Sequence, residues 1–89
     1  MNSPSQIRVF SVDDHPLLRE GIAALVNNQP DMVLVAQAST GGEAIQLFKE
    51  YSPDVTLLDL RLPDMSGIDT LIAIRTAFPN ARVIMPDNL

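Results

Sequence analysis

The sequence predicts an α/β fold: a parallel sheet with helices on both faces, in the order β-α-β-α-β-α-β. Three observations carry this reading. Short apolar runs rich in β-branched residues alternate with segments whose apolar positions recur at helical spacing. The third run, Val55 to Leu60 (VTLLDL), is almost continuously apolar, as a strand covered on both faces should be. Each intervening segment is long enough for a right-handed crossover between parallel strands, and no long linker interrupts them.

Ile7 to Val12 (IRVFSV) is the first predicted strand, and it ends at an Asp-Asp pair. Pro16 stands where a helix begins, because its fixed φ suits the first turn and no amide hydrogen bond is lost there. Leu18, Ile22, Leu25 and Val26 then fall on one helical stripe, which Asn27, Asn28 and Pro30 end. Met32 to Ala36 (MVLVA) reads as a second buried strand. Thr40 and Glu43 form a capping-box pair across Gly41 and Gly42 and open the next helix. Its face is Ala44, Leu47, Phe48 and Tyr51, and Ser52-Pro53 closes it. After the third strand, Leu62 to Gly67 (LPDMSG) is a turn-rich loop. Ile68, Leu71, Ile74 and Phe78 follow at helical spacing up to Pro79-Asn80. Arg82 to Met85 (RVIM) begins a fourth strand, which Pro86 cuts short.

Composition narrows the chemistry. The 89 residues make one small domain, and 46% hydrophobic against 19% charged residues suffice for a core. Six basic and eleven acidic residues leave a net charge of -5, which argues against a nucleic-acid partner. The absence of cysteine excludes disulfides and thiolate metal sites, and one histidine cannot make a multi-histidine cluster. No apolar run approaches the roughly 18 residues of a membrane span, and the polar start MNSPSQ is no signal peptide. A cytoplasmic protein without a membrane partner is therefore expected.

Ligands of open parallel sheets bind outside the carboxyl ends of the strands, and three acids land there. Asp13 and Asp14 follow the first strand, and Asp59 lies at the end of the third. If those strands are neighbours, three negative charges converge and require a cation. A hard divalent ion with oxygen ligands, Mg²⁺, is the expected answer. Asp13 and Asp14 also stand where acids cap a helix, ahead of Pro16. Asp59 has no such structural alternative, because a lone acid in an apolar strand costs desolvation and adds nothing to packing.

Other candidates are weaker. His15 reads as a solvent-facing loop residue, and Met32, Met65 and Met85 as packing. Gly41-Gly42 lacks any phosphate-loop pattern and reads as a helix opening. The Arg61 carbonyl, two residues beyond Asp59, could complete a metal shell, while its guanidinium could reach a phosphate or be solvated. An aspartyl-phosphate phosphatase would want a second acid at that position, so an enzyme is not expected.

SVDDHPLLREGI followed by TLLDLRLPDMSGID resembles the receiver domain of two-component response regulators. The DDHPLLREG wording is closest to the branch carrying a LuxR-type (NarL/FixJ) helix-turn-helix domain, and the likeness runs from about Ile7 to Met85. The resemblance implies a flavodoxin-like (CheY-like) fold of strand order 2-1-3-4-5. It implies that Asp59 is the phosphoacceptor for a sensor histidine kinase and that Asp13, Asp14, Asp59 and the Arg61 carbonyl hold Mg²⁺. It also gives Pro63 and Gly67 the role of shaping the loop after the third strand.

The departures from the family carry their own expectations. The chain stops after the fourth strand, so residues 1–6 read as a tail and 7–89 as a truncated receiver with no DNA-binding domain. Pro86 and Asp87 occupy the places of an apolar residue and a phosphate-reading Thr or Ser. The lysine ending the fifth strand is missing, as are the fourth and fifth helices. Impaired phosphosignalling is therefore expected, with a non-phosphorylating interaction module as the alternative. Uncovered apolar surface beside the first helix and at strand four implies self-association into a dimer or higher oligomer.

Overall fold

A computed structural model describes residues 6–86. It contains β1 (Ile7–Val12), α1 (Pro16–Asn27), β2 (Met32–Ala38), α2 (Gly41–Tyr51), β3 (Val55–Leu58), α3 (Gly67–Ala77) and β4 (Val83–Ile84). The four strands form one sheet in the order β2-β1-β3-β4, all parallel. Val9 to Val12 of β1 pair with Val55 to Leu58 of β3, so the two central strands end level with one another. No described helix is long and apolar enough to cross a membrane.

The sheet is covered unequally. Phe10, Val12 and Leu58 join Ala44 and Phe48 of α2 and Ile74 of α3 in one buried cluster. The Phe48 and Phe78 rings, with centroids 5.1 Å apart and tilted by 45°, hold α2 against the end of α3. Helix α1 lies on the opposite face, packed mainly along β2.

That asymmetry corrects part of the expected pattern. Leu18 and Leu25, expected on the packed stripe of α1, are 50% and 68% exposed, and Val26 is the buried residue of that helix. On this face α1 meets the sheet beside the β2 edge, and no second described helix flanks it. Strand β2 extends to Ala38 rather than stopping at Ala36, and as an edge strand it is only half-buried up to Gln37. In α3, Ile68 is exposed and Thr70 is buried, so the packed face of the helix runs through Gly67, Thr70 and Ile74.

Caps hold the helix starts. Pro16 opens α1, as expected. Thr40 Oγ1 accepts the Glu43 amide at 3.1 Å, while Glu43 Oε1 reaches the Ser39 amide, one residue before the cap. Ser66 caps α3 by accepting the Asp69 amide at 3.0 Å. Ser52 ends α2 with a left-handed φ of 46°.

Candidate functional site

The site forms where backbone pairing continues one residue past the strands. The Asp13 amide donates to the Ala38 carbonyl of β2, and the Asp59 amide to the Val12 carbonyl of β1, each at 3.0 Å. Strand β3 therefore ends at Leu58 rather than Leu60, and Asp59 is anchored just beyond it. Parallel register brings Asp13 and Asp59 side by side at the carboxyl edge, with Asp14 next in the chain. Asp13, Asp14, His15 and Asp59 each present one donor atom, all within 4.8 Å of one another.

Helix capping does not account for the acid pair. The N-cap of α1 is His15, which makes no side-chain cap bond. Asp13 Oδ1 instead accepts the His15 amide at 2.7 Å and faces His15 Nδ1 at 2.8 Å. The Asp13 side chain is 6% exposed, whereas Asp14 and Asp59 are 36% and 22% exposed.

His15 is an exposed loop residue, as expected, and it also borders the acid cluster. Its side chain is exposed, but Nδ1 lies 3.4 Å from Asp14 Oδ1 and 3.5 Å from Asp59 Oδ2. The hydrogen bond to Asp13 and the charges of Asp13 and Asp14 raise its pKa above the usual imidazole value, and Asp59 adds a smaller push.

Asp59 Oδ1 accepts the Arg61 amide at 3.3 Å. Its Oδ2 is buried and has no hydrogen-bond partner, since 3.5 Å to His15 is an ionic distance rather than a hydrogen bond. A buried carboxylate oxygen without a donor is costly unless a cation satisfies it. Three carboxylates around such an oxygen fit a hard dication of the Mg²⁺ kind.

The loop after β3 is held from three directions. The Gly67 amide donates to the Leu60 carbonyl at 2.7 Å, and Arg61 bridges Ser66 in antiparallel fashion. A Cβ on Gly67 would collide with the Asp59 carbonyl and crowd Leu60 Cα, so the position demands glycine for close approach. Pro63 is an exposed residue in the bend. The Asp64 carboxylate accepts the Gly41 and Gly42 amides at 2.7 and 2.9 Å, which holds its pKa below the usual carboxylate value.

The Gly41-Gly42 amides thus serve an internal anion. Asp64 and His15 were the site features missed in the sequence. Asp64 stands more than twenty positions from its partners, so no local pattern joins them. His15 had a signal in its adjacency to the acid pair.

A groove of about 450 Å³ runs from Asp13 and Asp59 along the α1 face, past Leu18, Ile22, Leu57 and Pro86. Asp87 lies outside the described residues, so the place expected for a phosphate-reading hydroxyl is described only up to Pro86.

The family model described as the response regulator receiver domain matches residues 9–86. The nitrate/nitrite response regulator protein NarL of Escherichia coli (strain K12) is 35% identical over 85 residues, 96% of this chain and 39% of that protein. The chain thus spans about two-fifths of the length of that curated relative. Among solved structures, a LuxR-family two-component response regulator from Aurantimonas sp. SI85-9A1 is similar at TM-score 0.86 and 40% identity, covering 91% of this chain and 58% of that one. The CheX-CheY-BeF3-Mg²⁺ complex from Borrelia burgdorferi matches at TM-score 0.83 and 29% identity, over 91% and 61% of the respective chains.

Proposed function

The chain belongs to the response regulator receiver domain family, and from that premise we propose that Asp59 accepts a phosphoryl group from a phosphohistidine of a sensor histidine kinase. The observation that carries this reading is the buried, unpartnered Asp59 Oδ2 inside a ring of donor atoms that span 4.8 Å. Asp13, Asp14 and Asp59, with the Arg61 carbonyl, are the residues that would hold Mg²⁺. When bound, the ion supplies positive charge that offsets the carboxylates and the incoming phosphoryl oxygens.

The protein's own groups do the rest. An Asp59 oxygen attacks phosphorus as the N–P bond of the phosphohistidine breaks, and the electron pair returns to the leaving imidazole. The Arg61 amide on Oδ1 and the Val12 carbonyl on the Asp59 amide fix the orientation of the attacking carboxylate. Pro63 and Gly67 shape the loop that carries this carboxylate, and Gly67 does so by letting α3 start against the Asp59 carbonyl. The BeF3 and Mg²⁺ named for the Borrelia complex support the same reading, because trifluoroberyllate mimics a phosphoryl group.

Incubation with acetyl phosphate and Mg²⁺, followed by intact-mass measurement, tests it. One phosphoryl adduct is expected, and it should vanish in Asp59→Asn. A folded protein that gains no adduct would overturn the phosphoacceptor role and leave the non-phosphorylating interaction module.

The exposed groove along α1 favours a second, compatible reading, self-association. Leu18 and Leu60 border this apolar surface, and burying it against another copy removes it from water.

A further inference from the structure

The turn from β1 into α1 places two acids in succession, and a side chain from the helix completes its backbone bonding. The Asp13 amide still pairs with the Ala38 carbonyl of β2, but the Asp13 carbonyl lies beyond the last residue pair of the ladder. Arg19, half-buried in the first turn of α1, supplies its partner: Nη1 donates to the Asp13 carbonyl at 3.0 Å. The Arg19 carbonyl in turn accepts Gln37 Nε2 from β2 at 3.2 Å. Gln37, Arg19 and Asp13 thus tie β2, α1 and the end of β1 together.

We infer that Arg19 is a positioning residue for the acid pair. By holding the Asp13 carbonyl it fixes the peptide plane between Asp13 and Asp14, and so sets where the Asp14 carboxylate stands in the site. This inference rests on the Mg²⁺-dependent receiver reading above and adds to it a residue outside the proposed donor set.

Backbone geometry makes one bond effective. A peptide unit is planar, so the Asp13 carbonyl and the Asp14 amide turn together. The rest of Asp13 has its own supports, from Ala38 on its amide and from the His15 amide on Oδ1 at 2.7 Å. The Asp14 carboxylate is exposed, and the His15 Nδ1 beside it is 3.4 Å away. The plane of the preceding peptide therefore governs its place. Arginine suits the task, because its rigid planar fork loses less freedom per hydrogen bond than a flexible ammonium does.

Charge gives the inference a sign. Among the described residues Arg19 forms no ion pair with a carboxylate, so its positive charge stands near the site without neutralising an acid directly. By Coulomb's law alone, removing that charge lowers the repulsion on an incoming dication and tightens its binding. Removing a group that positions Asp14 does the opposite.

The test measures Mg²⁺ affinity by isothermal titration of the whole chain and of Arg19→Met and Arg19→Gln, both of which keep a good helix former in α1. Binding should weaken roughly tenfold or more, the usual cost of losing a partner that orients a metal ligand. In metal-free protein the nitrogen-15 amide signals of Asp14 and His15 should shift while those of β4 stay in place. At saturating Mg²⁺, acetyl phosphate should label Asp59 at close to the wild-type rate, so that the defect lies in the Mg²⁺ concentration required. Two variants keep the measurement available if one does not fold.

Unchanged or tighter Mg²⁺ binding in a folded variant would overturn the role of Arg19, and a wild type that binds Mg²⁺ and is phosphorylated would leave the receiver reading standing. Amide shifts spread over the whole sheet would also overturn it, since they mark a general loss of packing. A wild-type chain that neither binds Mg²⁺ nor takes a phosphoryl group would overturn both this inference and the reading beneath it.

Discussion

Asp13 is the most buried of the three acids, and its Oδ1 and amide have partners in His15 and Ala38. Asp59 differs in that one oxygen accepts the Arg61 amide while the other, Oδ2, is buried without a partner, which supports the phosphoacceptor role proposed for it. Away from the cluster, Asp64 has a purely structural task. Hydrogen bonds from Gly41 and Gly42 depress its folded pKa below the ordinary value of 3.8, so its contribution to stability is fully present above that value. The contribution is lost as pH falls through the folded value. Urea denaturation should therefore show Asp64→Ala less stable than wild type at neutral pH, with the gap closing in acid. A gap independent of pH would remove the carboxylate from this account.

At the scale of elements, the loop between β3 and α3 is the part that packing controls most tightly. Gly67 begins α3 against the Asp59 carbonyl, so adding a methyl group pushes on the proposed phosphoacceptor. Gly67→Ala should destabilise the fold by about 1–3 kcal/mol, the usual cost of overpacking, and slow Asp59 phosphorylation. Chemical denaturation and phosphorylation time courses measure the two effects. Thr40→Ala removes one cap on α2, distant from Asp59 in the chain. It should cost about 1 kcal/mol in denaturation and leave the phosphorylation rate unchanged. Helix α1 shows the limit of periodicity, since Leu18 and Leu25 carry the right spacing for burial but stay largely exposed. Spacing reports which side of a helix is apolar, and only the neighbours decide whether that side is covered.

For the whole molecule, the governing fact is unequal cover of a four-stranded sheet. One face has α2 and α3, and the other has α1 beside an open apolar groove that reaches the site. We expect sedimentation or light scattering to show mass rising with concentration, and the substitutions Leu18→Glu and Leu60→Glu to reverse it. Both residues are about half exposed, at 50% and 45%, so charge there should be tolerated in the monomer. A wild-type mass that stays monomeric across micromolar concentrations would rule out association through this groove.

The sequence by itself determined the element order, the parallel sheet, the caps on α2 and the candidacy of Asp13, Asp14 and Asp59. These are legible because apolar periodicity, proline position and strand-end acids are local signals, each written within a few residues. Tertiary structure decided what depends on residues distant in sequence. Asp64 finds the Gly41 and Gly42 amides across more than twenty positions, and Gly67 meets the Asp59 carbonyl only because α3 starts against it. The same holds for His15. Its neighbours in sequence are two acids, but its place in the site required β1 and β3 to end level and bring Asp59 across to its ring.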